Sequence, residues 1–435
     1  MILGKRAAGN SAAGGLVGLL ALGLLLASAS GPAKAQDAPP EAQPAVSAPT
    51  TDPATAPSSE STAPAKAAET DAAGTDPDAT APTTSATTKP PAKPSGPLVV
   101  VSWGGAYSQS QEEAIYRPFT RSTGIDVSRK VYAGGLDVIR AQLASGEGAW
   151  DVVDVEPADA QDGCDEGLFQ ERSVVLPAAP DGTAATADFL PGTLQPCAVG
   201  ALAWSMVLAY AAGPESARAD DAVPASLQDF FDLDRFPGKR GLRRTPMANL
   251  EWALLADGAA PAEVYDLLRT EAGIARAFAK LDTIRDDIVW WEDAGEPARL
   301  LSDGSVAMTT TFNAPIFAAI AVRQRAIALI WDRQIWDIDL WAVPVSAPNR
   351  EAALEFIRFA TSPGPLARQT RWIPYGPVRL SSAELVGDYV HADIDMATFL
   401  PTPAENLSPA LRNDALFWRE QGPALVERFN AWLAR

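Results

Sequence analysis

Few side chains in this sequence could carry out covalent chemistry. His391 is the single histidine, so a Ser-His-Asp or Cys-His site would have to use it, and no G-x-S-x-G turn is present. One histidine also excludes a histidine-rich zinc site, and a surface position explains His391 most simply. Acids of one short stretch could form a glycosidase pair: Asp286, Asp287, Glu292 and Asp293. A solvated helix end explains these four acids more simply.

A glycine turn is the most distinctive local feature, in the stretch VVVSWGGAYSQSQEEAIYRPFTRSTGIDV at 99–127. An apolar run ends in Trp103, Gly104 and Gly105 before a helix begins near Tyr107. A strand that ends in glycines before a helix is a common place to hold a small ligand. The pair lacks the spacing G-x-G-x-x-G and no lysine follows it, so it indicates a phosphate cradle only weakly.

Tryptophan is abundant, with 12 residues in the chain. Two stand side by side, and three more fall in one short run: Trp290, Trp291, Trp331, Trp336 and Trp341. Many of these rings must pack in the core, because a tryptophan buries a large apolar area. Rings at strand ends could instead surround an ammonium group through cation–π attraction. The aromatic residues are therefore the positive sign of a binding site.

Regular structure must position such residues, and the sequence predicts an α/β fold built on a sheet. Apolar runs and periodic segments alternate as strand, helix, strand, helix and strand, which is typical of a parallel sheet. The first set comprises strands 97–103, 126–133 and 150–155 and helices 107–123 and 135–148. The second comprises strands 202–210, 305–312, 327–331 and 339–345 and helices 248–257, 261–269, 271–280, 349–362 and 411–435. In the first helix, Ser108 and Gln111 are placed as a capping box and Gly124 as the stop. No internal repeat is visible.

The N-terminal part of the chain differs in composition from the rest. Residues 1–35 have the basic start, apolar run and small-residue A-K-A site of a secretory signal peptide, with cleavage expected after Ala35. A transmembrane anchor is the alternative. Residues 36–97 are rich in Ala, Pro, Thr and Ser and predict a disordered tether. Residues 98–435 exceed a comfortable single core, so two lobes are expected.

The net charge and the cysteine content indicate which ligands and which compartment suit the protein. The formal net charge is -19, which argues against nucleic acid or an anionic membrane as partner and suits a cationic or neutral ligand. Cys164 and Cys197 are the two cysteines, and an even count in an exported chain favours a disulfide over two free thiols. Neither has a C-x-x-C neighbour, so their spacing excludes zinc and thioredoxin-like sites. We predict no metal and no cofactor.

Several stretches together resemble the periplasmic solute-binding proteins of polyamine-type (spermidine/putrescine) ABC importers. These stretches are SWGGAYSQSQEEAIYRPFTRSTGIDV, WDVVDVE, FPGKRGLRR, WALLADGAAPAEVYDLL, FAKLD, IWDIDLWAVP and IPYGP. The resemblance implies an α/β type II periplasmic binding protein fold, in which two α/β lobes close on a ligand in the cleft between them. The expected lobes are 98–201 plus 338–382 and 202–337 plus 383–435. A branch of the family pairs cysteines at positions like Cys164 and Cys197, which supports the disulfide.

The resemblance also implies roles for five residues. Asp339 matches the acid that grips an amino group, and Trp103 matches the aromatic residue after the first strand. Tyr375 matches a pocket tyrosine, and Phe312 matches an aromatic residue of the second lobe. Glu156 falls at the end of the third strand, where a pocket polar residue is usual.

Other positions depart from the polyamine pattern. Gly105 stands where an acid usually follows the first-strand tryptophan, and Thr245 and Ala248 fall near the acidic pair that grips the far amine. A pocket with fewer acids suits a shorter or singly charged amine better than spermidine. Relatives that bind amino-acid zwitterions can carry an arginine after the asparagine of FNAPIF, where this chain has Pro315.

These observations predict a non-enzymatic, periplasmic substrate-binding component of an ABC importer. It would capture a small cationic amine, similar to putrescine or spermidine, by hinge closure, and the permease subunits of the importer would recognise its closed form. We expect a monomer that binds no nucleic acid. An amino-acid-like or other small organic cation is the alternative ligand. From other classes, an exported carboxylate-dependent hydrolase and a signalling receptor subunit remain open.

Overall fold

The computed structural model describes residues 96–146, 150–213 and 222–435. The predicted signal peptide at 1–35, its cleavage site after Ala35, and the predicted tether up to residue 95 lie outside the described residues. Within the described part, no helix combines the length and the apolar character that crossing a membrane requires.

Strands and helices alternate along the described chain, mostly as predicted. The strands are β1 Leu98–Ser102, β2 Val127–Val131, β3 Val152–Val155, β4 Ala198–Ala211, β5 Arg240–Arg243, β6 Ile288–Trp291, β7 Met308–Phe312, β8 Ile327–Ala342, β9 Gly376–Pro377 and β10 Leu411–Arg412. The first eight α-helices are α1 Gly105–Gln111, α2 Arg117–Thr123, α3 Leu136–Ser145, α4 Pro157–Asp165, α5 Ala185–Asp188, α6 Leu227–Phe231, α7 Asn249–Ala256 and α8 Val264–Leu268. The others are α9 Glu271–Asp282, α10 Glu296–Ser302, α11 Asn313–Phe317, α12 Arg350–Ala360, α13 Pro363–Thr370, α14 Ala404–Leu407 and α15 Ala415–Leu433.

The strands of the described residues form one sheet in the order β2-β1-β3-β8-β4-β7-β5-β6, with β9 beside β4 and β10 beside β8. At one end β1 runs parallel to β2 and β3, and at the other end β5 runs parallel to β6 and β7. Between them lie β4 and β8, which are antiparallel and long, at 14 and 16 residues. The two halves therefore have equivalent strand orders. Read inward from one edge of the sheet the order is β2-β1-β3-β8-β4, and read inward from the other edge it is β6-β5-β7-β4-β8.

Two hydrophobic cores flank this shared pair of strands. The first core takes its buried apolar residues from 98–203 and 336–378, and the second from 206–335 and 411–432. Both long strands contribute to both cores, so they cross from one half to the other. The predicted lobe limits stay a prediction, because a division of the core does not show which segments move together.

The crossing strand β8 differs from the prediction. Segments 327–331 and 339–345 are not separate strands, since Ile327–Ala342 is continuous. The polar residues in its middle resemble a turn in the sequence, and they do bulge out: Trp331 to Gln334 lie opposite Val207 alone, and Arg333 has φ 55°. Gln334 Nε2 donates to Pro401 O at 2.7 Å, which holds the bulge against the following chain.

The turn at the start of the first helix also differs from the prediction. The helix begins at Gly105 without a side-chain cap, and the predicted capping box of Ser108 and Gln111 is wrong. Ser108 Oγ accepts instead from Gly104 N–H at 2.9 Å, which fixes the turn from inside the helix. The predicted stop at Gly124 is confirmed by its left-handed backbone, with φ 73°.

Two covalent or ionic links hold segments of the first core together. Cys164 of α4 and Cys197, just before β4, form a disulfide, which is the pairing that was favoured. Arg379 and Asp188 form an ion pair at 2.5 Å, with both side chains almost completely buried. Ser381 N–H and Oγ–H also donate to Asp188, and Arg379 Nη2 donates to Pro177 O, so this pair is well satisfied.

Replacement of Arg379 by methionine should destabilise the protein strongly, because it leaves the Asp188 carboxylate buried without its counter-ion. We expect the free energy of unfolding to fall by about 3–5 kcal/mol, as measured by urea denaturation. Arg358→Met is the matched control, because Arg358 pairs with Glu355 at the surface. Its cost should stay below about 1 kcal/mol, and equal losses in the two variants would contradict the role given to the buried pair.

Candidate functional site

The carboxyl ends of the parallel strands from both halves reach the same middle section of the crossing pair. At the end of β3, Val155 lies opposite Leu340, and at the end of β7, Phe312 lies opposite Met206. On β4 and β8 these positions are close together, because Leu202 pairs with Asp339. Ligands of open α/β sheets bind outside the carboxyl ends of strands, so this middle section is the candidate site.

Four carboxylates converge there without a counter-ion. Asp154 and Glu156 come from β3 and its end, and Asp337 and Asp339 come from one face of β8. Asp154 and Asp339 are buried. Among the described residues, none of the four forms an ion pair with lysine or arginine. Neutral donors contact two of them: Asn413 Nδ2 donates to Asp337 at 2.7 Å, and Gln111 Nε2 donates to Asp154 at 2.9 Å.

Burial disfavours the charged form of these acids. It raises the pKa of Asp154 and of Glu156 to about 7 and that of Asp337 to about 6. The pKa of Asp339 lies well above its usual range, first through burial and then through the neighbouring Asp154 and Glu156. A cation placed among them would relieve this electrostatic cost.

Glu156 marks the open side of the site. Its side chain keeps a large exposed area, although protein surrounds it densely enough to raise its pKa. A side chain with water on one side and protein on the others lies in a concave surface. A surface cavity of about 470 Å³ elsewhere, lined by Glu112, Arg117 and Asp126 among others, shares no residue with this cluster.

Aromatic side chains of the first half surround the acids. The ring of Trp103 stacks on Tyr132 at 5.1 Å between centroids, and the ring of Tyr107 contacts that of Tyr375 at 5.6 Å. Gly134 makes room for the tryptophan, since a Cβ there would lie 2.4 Å from the Trp103 ring. Within the described chain, Trp103 Nε1 and the Tyr107 hydroxyl are buried without a hydrogen-bond partner. Both atoms lie beside the Asp154 carboxylate.

The second half contributes an arginine that sequence reasoning missed. Arg243 ends β5, and its guanidinium lies over the ring of Phe312 at 5.2 Å. Phe312 in turn contacts Trp204 at 5.9 Å between ring centroids. Arg243 is half-buried, burial lowers its pKa, and it forms no ion pair with any described residue. A desolvated guanidinium without a partner suits an incoming carboxylate.

The loop after Arg243 is held in a particular shape. Asn249 Nδ2 donates to the carbonyl oxygens of Arg243 and Thr245, each at 2.7 Å. The buried Ala248 has φ 68°, a left-handed conformation that alanine rarely adopts. The sequence stretch GLRR was the available signal for the arginine, but the short strand β5 was not predicted.

One asparagine connects the two sides of the site. Asn313, which follows β7, accepts from Ser205 N–H at 3.1 Å and donates to Pro374 O at 2.5 Å. Pro374 precedes Tyr375, so this side chain holds the tyrosine segment against the second half. The five residues chosen from the sequence thus lie around one section of the sheet, and their roles in binding stay predictions.

Comparison with known proteins identifies the family. The model of the family described as "Bacterial extracellular solute-binding protein" matches residues 114–398, more than half of the chain. The chain belongs to this family. A γ-aminobutyric acid-binding protein of Pseudomonas aeruginosa is 40% identical over 338 residues, which cover 78% of this chain and 91% of the relative. The protein is therefore a solute-binding protein rather than an enzyme, as expected.

Solved structures establish the type II periplasmic binding protein fold. An ABC transporter substrate-binding protein from Bradyrhizobium japonicum is 29% identical with a TM-score of 0.63, covering 78% of this chain and 99% of its own. A GABA receptor is 28% identical with a TM-score of 0.62, covering 78% and 98%. A spermidine/putrescine-binding protein from Streptococcus pneumoniae shares the fold at 16% identity, with a TM-score of 0.60 and coverage of 78% and 100%.

The unpaired Asp339 should cost the empty protein stability. Asp339→Asn removes a buried acid whose ionisation is opposed by burial and by the neighbouring carboxylates, so at pH 8 the free energy of unfolding without ligand should rise by about 1 kcal/mol. Urea denaturation measures this change. The surface variant Asp266→Asn should leave stability unchanged, and a stability loss in Asp339→Asn would instead assign Asp339 a structural role.

Proposed function

We propose that this chain is the periplasmic substrate-binding component of an ABC importer and that its ligand is a small amino-acid-like zwitterion, such as γ-aminobutyrate. The observation that carries this proposal is a pair of opposite, unpaired charges on the two halves of the site. Asp339 and its neighbours offer negative charge on one side, and Arg243 offers positive charge on the other.

The ligand's ammonium group would bind on the first half. Asp339 is its proposed anchor, and the rings of Trp103 and Tyr375 form the walls of this subsite. An ammonium group gains both a charge-assisted hydrogen bond to the carboxylate and attraction to the faces of the rings. Glu156 lies at the open side, where it attracts the cation before closure.

The ligand's carboxylate would bind on the second half. The guanidinium of Arg243 can donate two parallel hydrogen bonds to a carboxylate, and its partial burial strengthens that pairing. A polyamine carries ammonium groups at both ends, so Arg243 would repel the far one. This repulsion favours the amino-acid-like ligand over the putrescine-like or spermidine-like ligand that the sequence resemblance suggested.

The two subsites are separated by aromatic rings. Phe312 lies under the guanidinium of Arg243 and against Trp204, and Trp204 lies beside Asp339 on the neighbouring strand. The two rings between the opposite charges favour a ligand with a methylene chain between its ammonium and carboxylate groups. An α-amino acid, with both groups attached to one carbon, should fit this separation less well.

The relatives support this assignment. The protein from Pseudomonas aeruginosa binds γ-aminobutyric acid, and one of the similar solved structures is a GABA receptor. Family membership supports a periplasmic location and delivery of the ligand to membrane permease subunits. Cleavage after Ala35 and action as a monomer stay predictions. In the working cycle, β4 and β8 would act as the hinge on which the lobes close.

Removal of the arginine charge should weaken binding of γ-aminobutyrate specifically. Arg243→Met keeps an unbranched apolar stem and loses the charged hydrogen bonds, so affinity should fall about tenfold to a hundredfold by titration calorimetry. Arg244→Met is the matched control, because the next arginine is exposed and pairs with Glu292 at 3.2 Å. Similar losses in both variants would contradict a direct contact of Arg243.

Comparison of different ligands should distinguish the role of Asp339 from that of Arg243. We expect γ-aminobutyrate to bind more tightly than putrescine or glycine. Asp339→Asn should weaken γ-aminobutyrate and putrescine alike, by about tenfold to a hundredfold, whereas Arg243→Met should not weaken putrescine. Tighter binding of putrescine by the native protein would restore the polyamine assignment and refute the proposal.

A further inference from the structure

Asp154 is a fully buried acid beside the proposed amine subsite, and nothing above gives it a role in binding. We propose that Asp154 and Asp339 share a proton in the empty site and that the ammonium group of the ligand displaces this proton when it binds. Asp154 is then a second, inner residue that determines specificity for cations. This inference rests on the proposed function.

Hydrogen bonds hold the Asp154 carboxylate in place, but only one of its two oxygens accepts them. Ser102 Oγ and Gln111 Nε2 donate to Asp154 Oδ2 at 3.0 and 2.9 Å. The other oxygen, Oδ1, is buried without a hydrogen bond to any described residue. The Tyr107 hydroxyl, in a side chain only 7% exposed, lies beside the carboxylate and also lacks a partner of ordinary geometry. Oδ1 is therefore the oxygen of Asp154 at which a proton can reside.

The two carboxylates belong to neighbouring strands. Asp154 lies opposite Trp341 in the ladder between β3 and β8, two positions from Asp339 along β8. Residues two apart point to the same face of a strand. Each carboxylate disfavours ionisation of the other, and burial adds to that effect.

The other ionisable groups around this pair do not neutralise it. The groups that face it from the packed elements are Tyr107 of α1, Tyr116 before α2, Tyr132 after β2, Glu156 after β3, Asp159 of α4, Asp337 of β8 and Tyr375 before β9. All seven are neutral or acidic. Arg412 acts on Asp337, the more distant acid of β8, and does not ion-pair with Asp154 or Asp339 in the described chain.

Displacement follows from the charge balance. The empty pair carries one negative charge and one proton, because two adjacent buried carboxylates ionise together only at high cost. The ligand arrives and stays as an ammonium ion, its positive charge allows both carboxylates to ionise, and the proton passes to the buffer. No bond other than the O–H bond breaks.

The pH dependence has a definite sign. Burial raises the pKa of both carboxyls in the empty protein, that of Asp154 to about 7 and that of Asp339 well above its usual range, and a bound ammonium group lowers both. Affinity should therefore increase as the pH rises through and above 7, and at lower pH its loss should approach tenfold per pH unit.

Titration calorimetry with γ-aminobutyrate at pH 6.5, in phosphate, HEPES and Tris buffers, measures the protons released on binding. We expect between half and one proton for the native protein and for the surface variant Asp266→Asn. In Asp154→Asn, release should fall to less than half the native value and the affinity should vary little between pH 6 and 8. Equal binding heats in the three buffers, or undiminished release in Asp154→Asn, would overturn the proposal.

A measurement without ligand separates this proposal from the proposed function. A proton held by the empty native protein makes its denaturation midpoint in urea fall as the pH rises from 5.5 to 7.5, since the folded state then binds more protons than the unfolded state. Asp154→Asn should show a clearly smaller fall. If the falls are equal, the shared proton is refuted, whether or not γ-aminobutyrate binds. If γ-aminobutyrate fails to bind but the difference remains, only the proposed function fails.

Discussion

The burial of acidic side chains without counter-ions at the middle of the crossing strands is the constraint on which the rest of the structure depends. Burying a charge without a partner is among the most costly arrangements in a folded protein. It persists here because two separate cores and a well-satisfied ion pair stabilise the surrounding chain. The cost is greatest in the empty protein and is relieved by a cation, so stability and binding are coupled at the same atoms.

The repeated strand order of the two halves explains why opposite charges face each other. In both halves, parallel strands end at the crossing pair, so each half presents its strand ends to the same section of the sheet. The first half ends in acids and aromatic rings, and the second ends in Arg243 and Phe312. One architecture with different residues at equivalent strand ends thus presents the two opposite charges that the proposed amino-acid-like ligand requires.

Much of this arrangement follows from the sequence, for identifiable reasons. The glycine turn after Trp103, the α/β alternation and the disulfide are local or compositional features, and the structure has them. Family membership confirms a non-enzymatic solute-binding protein. Arg243 was missed because its importance is tertiary: a strand of four residues with arginine at both ends has no clear pattern, and only packing against Phe312 desolvates it. The polar bulge of β8 likewise resembles a loop until its partner strand is known.

The same bulge has a mechanical consequence. Hydrogen-bonded strands bend and twist as one ribbon, so β4 and β8 do not act as two independent swivels. Their ladder is interrupted at two places, at Ala201 and at the segment from Trp331 to Gln334, and is regular elsewhere. Torsional compliance should therefore be concentrated at these two places, one on the side of each core. The proposed closure of the halves would then be divided between two bends of the ribbon, much as a stiff strip turns where it has been notched twice.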